Sequence, residues 1–139
     1  MTTTPTTSEE LDQFISEPTD AVVETVGNCP GTYAVLGAGG KMGLHLSLML
    51  RRALDKLGRT DAVTTISRFG SKSARAQFDS AGFNVISADL SDPHTVKRLP
   101  DFDNVFFLAG VKFGAGDQPE LLRRMNITMP QLVARQYHS

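Results

Sequence analysis

The apolar positions of this chain fall into two kinds of stretch. Four short runs, Thr32–Leu36, Ala62–Ser67, Asn84–Ala88 and Asn104–Ala109, are rich in β-branched or aromatic residues. None of the four carries a charge, and the first is apolar enough to be buried on both faces. Between them apolar residues return every three or four positions. Met42, Leu46, Leu50, Leu54 and Leu57 predict a helix over Lys41–Leu57, stopped by Gly58. Ala74, Phe78 and Ala81 predict one over Ser73–Ala81, stopped by Gly82. Asp92-Pro93 opens a short helix that ends near Pro100, with proline at its first helical position. Gln118–Tyr137 reads as a longer helix burying Leu121, Leu122, Met125, Leu132 and Val133. Pro130 lies inside that pattern and is expected to kink or break it.

Ahead of the first run the pattern is weaker. Residues 1–8 are rich in threonine and read as a disordered N-terminus. Residues 9–31 read as a helical lead-in. Thr7-Ser8-Glu9-Glu10 has the form of a capping box, with Glu10 reaching back. The helix that follows is expected to bury Leu11, Phe14 and Ile15 and to end at Pro18. Thr19 or Asp20 can cap a second helix over Ala21–Val26, and Gly27, Asn28, Pro30 and Gly31 make a turn into the first strand.

Strand and helix alternate four times. Right-handed crossovers then give an α/β fold, a doubly wound parallel sheet of Rossmann type over residues 32–139, ordered 3-2-1-4. Ligands of such sheets lie at the carboxyl ends of the strands, where the order reverses. Four clusters meet there: Gly37–Gly43, Arg68–Arg75, Asp89-Leu90 and Leu108–Lys112.

The chain is organised around the first of these, Gly37-Ala38-Gly39-Gly40-Lys41-Met42-Gly43. It reads either as Gly-x-Gly or as Gly-x-x-Gly-x-x-Gly. Both place glycine where a tight turn follows a strand, where a pyrophosphate needs open backbone, and where a helix starts close against the sheet. Phosphate would then meet the N–H groups and the positive end of the helix. A nucleoside-triphosphate loop is excluded, because Gly40-Lys41 is followed by Met42 rather than serine or threonine and position 35 is valine. A methyltransferase would want an acid at the end of the second strand, where this chain has Ser67-Arg68.

An arginine at that place can fork onto a ribose 2′-phosphate, and Ser71, Lys72 and Arg75 follow it. The expected cofactor is therefore NADP or NAD, with NADP favoured. Against this stands a solvated basic helix start. Asp89 can accept a hydrogen bond from an adenine amino group or cap the next helix with Ser91 and Asp92. Leu108-Ala109-Gly110 brings small backbone beside the middle of the cofactor, and Lys112 can reach ribose or phosphate or stay solvated.

Composition narrows the partners. Charged residues make up 21% of 139 residues and the net charge is −1, so no basic surface for nucleic acid is expected. The apolar runs are too short for a bilayer, and no basic start with an apolar core marks a secretory signal, so the expected compartment is the cytoplasm. Cys29 is a single cysteine, and His45, His94 and His138 lack metal-ligand spacing and read as surface histidines.

These positions together resemble the extended short-chain dehydrogenase/reductase superfamily, the NAD(P)-dependent epimerase/dehydratase group. The matching pieces are the glycine turn Gly37–Gly43, Asp89-Leu90-Ser91-Asp92, Val105–Gly110 and Asn126. Leu11–Thr19 and Val111–Gly114 are similar to a bacterial branch of the group. The resemblance covers residues 10–137. It implies that Gly37, Gly40 and Gly43 form the phosphate turn with Gly39, Lys41 and Met42 between them. It further implies that Arg68 meets the adenosine side, Asp89-Leu90 the adenine, and Ala109 the nicotinamide side. The implied substrate is a nucleotide sugar or a similar hydroxy or keto compound. The superfamily's Tyr-x-x-x-Lys pair is not in this sequence, whose tyrosines are Tyr33 and Tyr137. The expectation is thus the cofactor-binding part of such an enzyme without its catalytic half, or else a non-catalytic dinucleotide sensor or partner subunit. The last apolar run would leave an open strand edge, inviting self-association or pairing with a missing C-terminal half.

Overall fold

In a computed structural model describing residues 3–111 and 116–138, the most buried stretch is Tyr33–Leu36 (β1). All four residues are buried because β1 has neighbours on every side. Tyr33 and Val35 point into one apolar cluster, and Ala34 and Leu36 into another on the opposite face. Alternation with both faces apolar is what a sheet covered on both sides requires.

Val63–Ser67 (β2) and Asn104–Phe107 (β4) pair with β1 in parallel, and Asn84–Ser87 (β3) pairs with β2. The order is β3-β2-β1-β4, as the alternation of elements predicted. Asp20–Gly27 (α2), Gly43–Lys56 (α3) and Lys72–Ser80 (α4) supply the cluster on one face through Val26, Leu50, Leu54 and Phe78. On the other face Pro93–Lys97 (α5) leads to Leu99, which joins Leu90, Met125, Met129 and Val133. The last three come from one continuous helical stretch, Pro119–Arg123 (α6), a π turn over Arg124–Thr128, and Met129–Gln136 (α7).

The helices differ from expectation in three informative ways. Pro130 does not break the last helix. Proline has no N–H and its ring presses on the carbonyl four residues back. The chain absorbs this by widening one turn, and the N–H of Met129 donates to the carbonyl of Arg124, five residues back. In α3 the residues against the sheet are Gly43, Ser47, Leu50, Ala53 and Leu54, while Met42 is 69% exposed and Leu57 38%. Periodicity picks residues by apolarity, but this helix lies so close that small residues face the sheet. The Ser47 hydroxyl is satisfied by donating to the Gly43 carbonyl at 2.6 Å.

The third difference is the lead-in. Ser8–Ile15 (α1) has the expected capping box, and Thr6 also donates to Glu10 from its N–H and hydroxyl. Leu11, Phe14 and Ile15, however, are 46%, 55% and 42% exposed. The polar side of α1 turns inward instead, because α3 presents His45, Arg52 and Lys56 to it. Asp12 meets His45 at 2.7 Å, so this histidine is half-buried rather than a free surface group. The Arg52 guanidinium donates to the Gln13 carbonyl and the Ser16 hydroxyl, both at 2.9 Å, and Lys56 meets Glu17 at 2.6 Å. Among the described residues no helix is long and apolar enough to cross a membrane.

Candidate functional site

At the carboxyl end of β1 the chain turns back on itself through Gly37, whose φ is +84°. The N–H groups of Gly37 and Ala38 both donate to the Ile66 carbonyl of β2, at 2.8 and 3.2 Å. Gly40 then donates to Gly37, and Gly43 to Gly40, at 3.2 and 3.3 Å. A Cβ on Gly37 would collide with the backbone of Ala109, where the chain leaves β4. A Cβ on Gly43 would collide with the backbone of Ala38. These two glycines let strand, turn and helix touch. Gly40 differs, since a Cβ there would meet only the Gly37 carbonyl oxygen, at 3.5 Å. Its open side faces the crevice. No side chain caps the N-terminus of α3.

Two adjoining hollows flank this turn. The first, about 490 Å³, runs from Gly37, Gly39 and Gly40 across the ends of β2 and β3. Arg68, Asp89 and Leu90 line it, as do Leu108, Ala109 and Gly110. The second, about 470 Å³, lies on the other side, where Lys41, Met42 and Gly43 face Val111 and Asn126. Gly37, Gly40, Leu108 and Gly110 border both. The residues singled out in the glycine turn, together with Arg68, Asp89, Leu90, Leu108, Ala109 and Gly110, lie along this one crevice, whereas Lys112 falls outside the described residues and Ser71, Lys72 and Arg75 do not line it.

The second lobe is held by Asn126, to which the sequence assigned no role beyond its match. Its Oδ1 accepts from the Val111 N–H at 2.9 Å and its Nδ2 donates to the Val111 carbonyl at 2.8 Å. Asn126 sits in the π turn, so the extra residue demanded by Pro130 falls where the helix reaches the loop after β4. Met125, expected only as a buried helix residue, lines the first lobe with Met129, Ser67, Phe69, Gly70 and Ala88, none of them named individually as a binding residue from the sequence. Gly70, three residues past the end of β2, was the available signal, since glycine after an apolar run marks a turn.

The charges sort differently from the sequence reading. Arg75 does not reach the crevice. Its guanidinium donates to the Ser87 hydroxyl at 2.6 Å and the Val85 carbonyl at 3.3 Å, and pairs with Asp79. A residue one turn into α4 lies over β3, and unpaired backbone at a sheet edge is the nearer partner. Ser71 is spent as the cap of α4, accepting from the Ala74 N–H. Lys72 does not line the crevice either, which leaves Arg68, exposed and without a hydrogen bond or ion pair among the described residues. Asp89 is not the cap of α5. It lines the crevice, and its Oδ1 accepts from the Ser91 hydroxyl at 2.7 Å and the Ser91 N–H at 2.9 Å. Those bonds hold its carboxyl below the usual range, with Arg68 and Arg124 adding to the effect. Asp92 is the true cap of α5, taking the His94 N–H at 3.1 Å and the Thr95 hydroxyl at 2.6 Å.

Neither tyrosine lines the crevice. The Tyr33 hydroxyl donates to the Cys29 carbonyl and the Tyr137 hydroxyl to the Pro100 carbonyl, and burial pushes both phenols up. Among the described residues no group of three or more histidine, cysteine, aspartate or glutamate side chains could hold a metal ion. No protein-family model matches the chain, and no curated protein matches it.

Proposed function

We propose that the crevice binds a nicotinamide dinucleotide, NADP in preference to NAD. The observation that carries this is the pair of hollows meeting over Gly37 and Gly40, at the switch point between β1 and β4. A dinucleotide has two nucleosides joined by a pyrophosphate, and the crevice has two lobes joined by a glycine turn. The residues fit the group. Gly40 presents open backbone, the N-terminus of α3 lacks a side-chain cap, and its dipole favours anionic phosphate there. Arg68 would hold the 2′-phosphate, Asp89 the adenine, and the Asn126-braced loop the nicotinamide side. The cofactor, when bound, would supply hydride transfer. The chain's own residues bind and orient it.

On this reading the chain is the cofactor-binding part of an oxidoreductase resembling the epimerase/dehydratase group, acting on a hydroxy or keto substrate such as a nucleotide sugar. A second reading is favoured by the two tyrosines, each tied to a backbone carbonyl away from the crevice. On it the chain binds the dinucleotide without turning it over, as a sensor or partner subunit. Calorimetric titration with NADPH and NADH tests what the readings share. Binding is expected, tighter for NADPH, and Gly40→Asp is expected to abolish it at unchanged melting temperature, by placing a carboxylate where phosphate sits. Failure of both cofactors to bind at millimolar concentration would remove both readings. An in-frame continuation downstream that encodes a further strand and a Tyr-x-x-x-Lys pair would favour the first reading, and unrelated sequence there the second.

A further inference from the structure

Phe69 is the one non-glycine residue with positive φ among the described residues, at 44°. A bulky residue adopts that conformation only where its surroundings over-determine it. Here they do. The ring is buried, with its centroid 5.1 Å from that of Phe78, which lies 6.2 Å from Phe83. Arg68, Phe69 and Gly70 all border the first lobe at this left-handed residue, and the Phe69 side chain is buried in the core cluster beneath it. The same ring lies under the glycine turn, with Cδ1 3.7 Å from where a Cβ on Gly39 would stand.

We infer that Phe69 is the positioning residue for cofactor selectivity, acting by fixing the backbone of Arg68 against the glycine turn. The inference rests on the reading of the crevice as a dinucleotide site. Arg68 has no hydrogen-bond or ion-pair partner among the described residues, so its backbone and the attraction of the Asp89 carboxylate set where the guanidinium starts from. A long side chain on a loose loop would lose much of its bond to a 2′-phosphate in ordering, whereas one on a pinned peptide loses less. NADH has no 2′-phosphate, so its affinity does not draw on this.

The test is a double-mutant cycle on the full chain, titrating NADPH and NADH against wild type, Phe69→Leu, Arg68→Ala and the double variant. Wild type is expected to prefer NADPH by tenfold or more, on the scale of about one charge-assisted hydrogen bond. Phe69→Leu is expected to bring that ratio close to the value for Arg68→Ala, and to change nothing further in the Arg68→Ala background. Phe78→Leu, which loosens the ring from outside the crevice, is expected to shift the ratio the same way and serves if Phe69→Leu fails to fold. Equal weakening of both cofactors, an unchanged ratio, or additive effects in the cycle would overturn the role of Phe69 and leave the dinucleotide reading standing. A wild type that binds neither cofactor would overturn the dinucleotide reading and this inference with it, and one that prefers NADH would overturn the role of Arg68 and this inference.

Discussion

Replacing Gly43 and Gly40 in turn by alanine separates two uses of glycine within four residues. At Gly43 the added methyl meets the Cα, carbonyl carbon and oxygen of Ala38. These are backbone atoms in a turn fixed by the Gly37 and Ala38 bonds to Ile66, so no rotamer change relieves the overlap. Forcing a methyl into a packed contact costs about 1–3 kcal/mol. Alanine regains up to about 1 kcal/mol over glycine in a helix, and less at its first residue. The overlap wins, because its neighbours are main chain, and the net loss is about 2 kcal/mol. For a chain of this size that lowers the melting temperature by about 6–8 °C. At Gly40 the methyl meets only one carbonyl oxygen at ordinary contact distance, 3.5 Å, and φ is not positive. Its stability should stay within about 0.5 kcal/mol of wild type. Thermal and urea unfolding followed by circular dichroism measure both. If Gly43→Ala melts with wild type, helix α3 does not lie against the turn as described. Equal losses from both substitutions would mean that the turn is packed throughout and offers no open backbone.

The Asp103 carboxylate accepts the Thr32 N–H at 2.7 Å and hydroxyl at 2.9 Å, and its pKa is lowered by these bonds. A depressed folded pKa contributes stability that is present above the unfolded value, about 4, and is lost as pH falls through the folded value. Melting temperature should therefore drop below about pH 4, and less steeply for Asp103→Asn; identical acid slopes in the two proteins would refute that assignment. The open side of β4 supports a prediction about association. Leu108 and Asn104 donate to β1, so by strand alternation the polar backbone of Val105 and Phe107 faces outward, unpaired by any described strand. Sedimentation of the 139-residue chain at rising concentration is expected to show association that Val105→Pro reduces, since proline there removes an outward N–H and no ladder bond. A monomer at every concentration would show that this edge is protected.

The sequence alone determined the strands, their parallel order and the glycine turn. Each is written in neighbouring residues: apolar runs too short for helices, helical periods between them, and a turn whose backbone only glycine permits. The handedness of crossovers then left little freedom in the order β3-β2-β1-β4. What tertiary structure decided was which neighbour each face would meet. Periodicity marked Leu11, Phe14 and Ile15 as one face of α1, but the cations on α3 turned the other face inward. It placed Arg75 beside Arg68 in a basic cluster, but β3 took Arg75 and left Arg68 to the crevice. It marked Pro130 as a fault in a helix, but only the packed chain shows the fault taken up as a π turn carrying Asn126 to Val111. Phe69 is the clearest case. Nothing local asks a phenylalanine to take positive φ, and only the aromatic core beneath it does so. Local pattern limits what a segment can form, while side chains distant in sequence, competing for the same contact, settle how the segment is used.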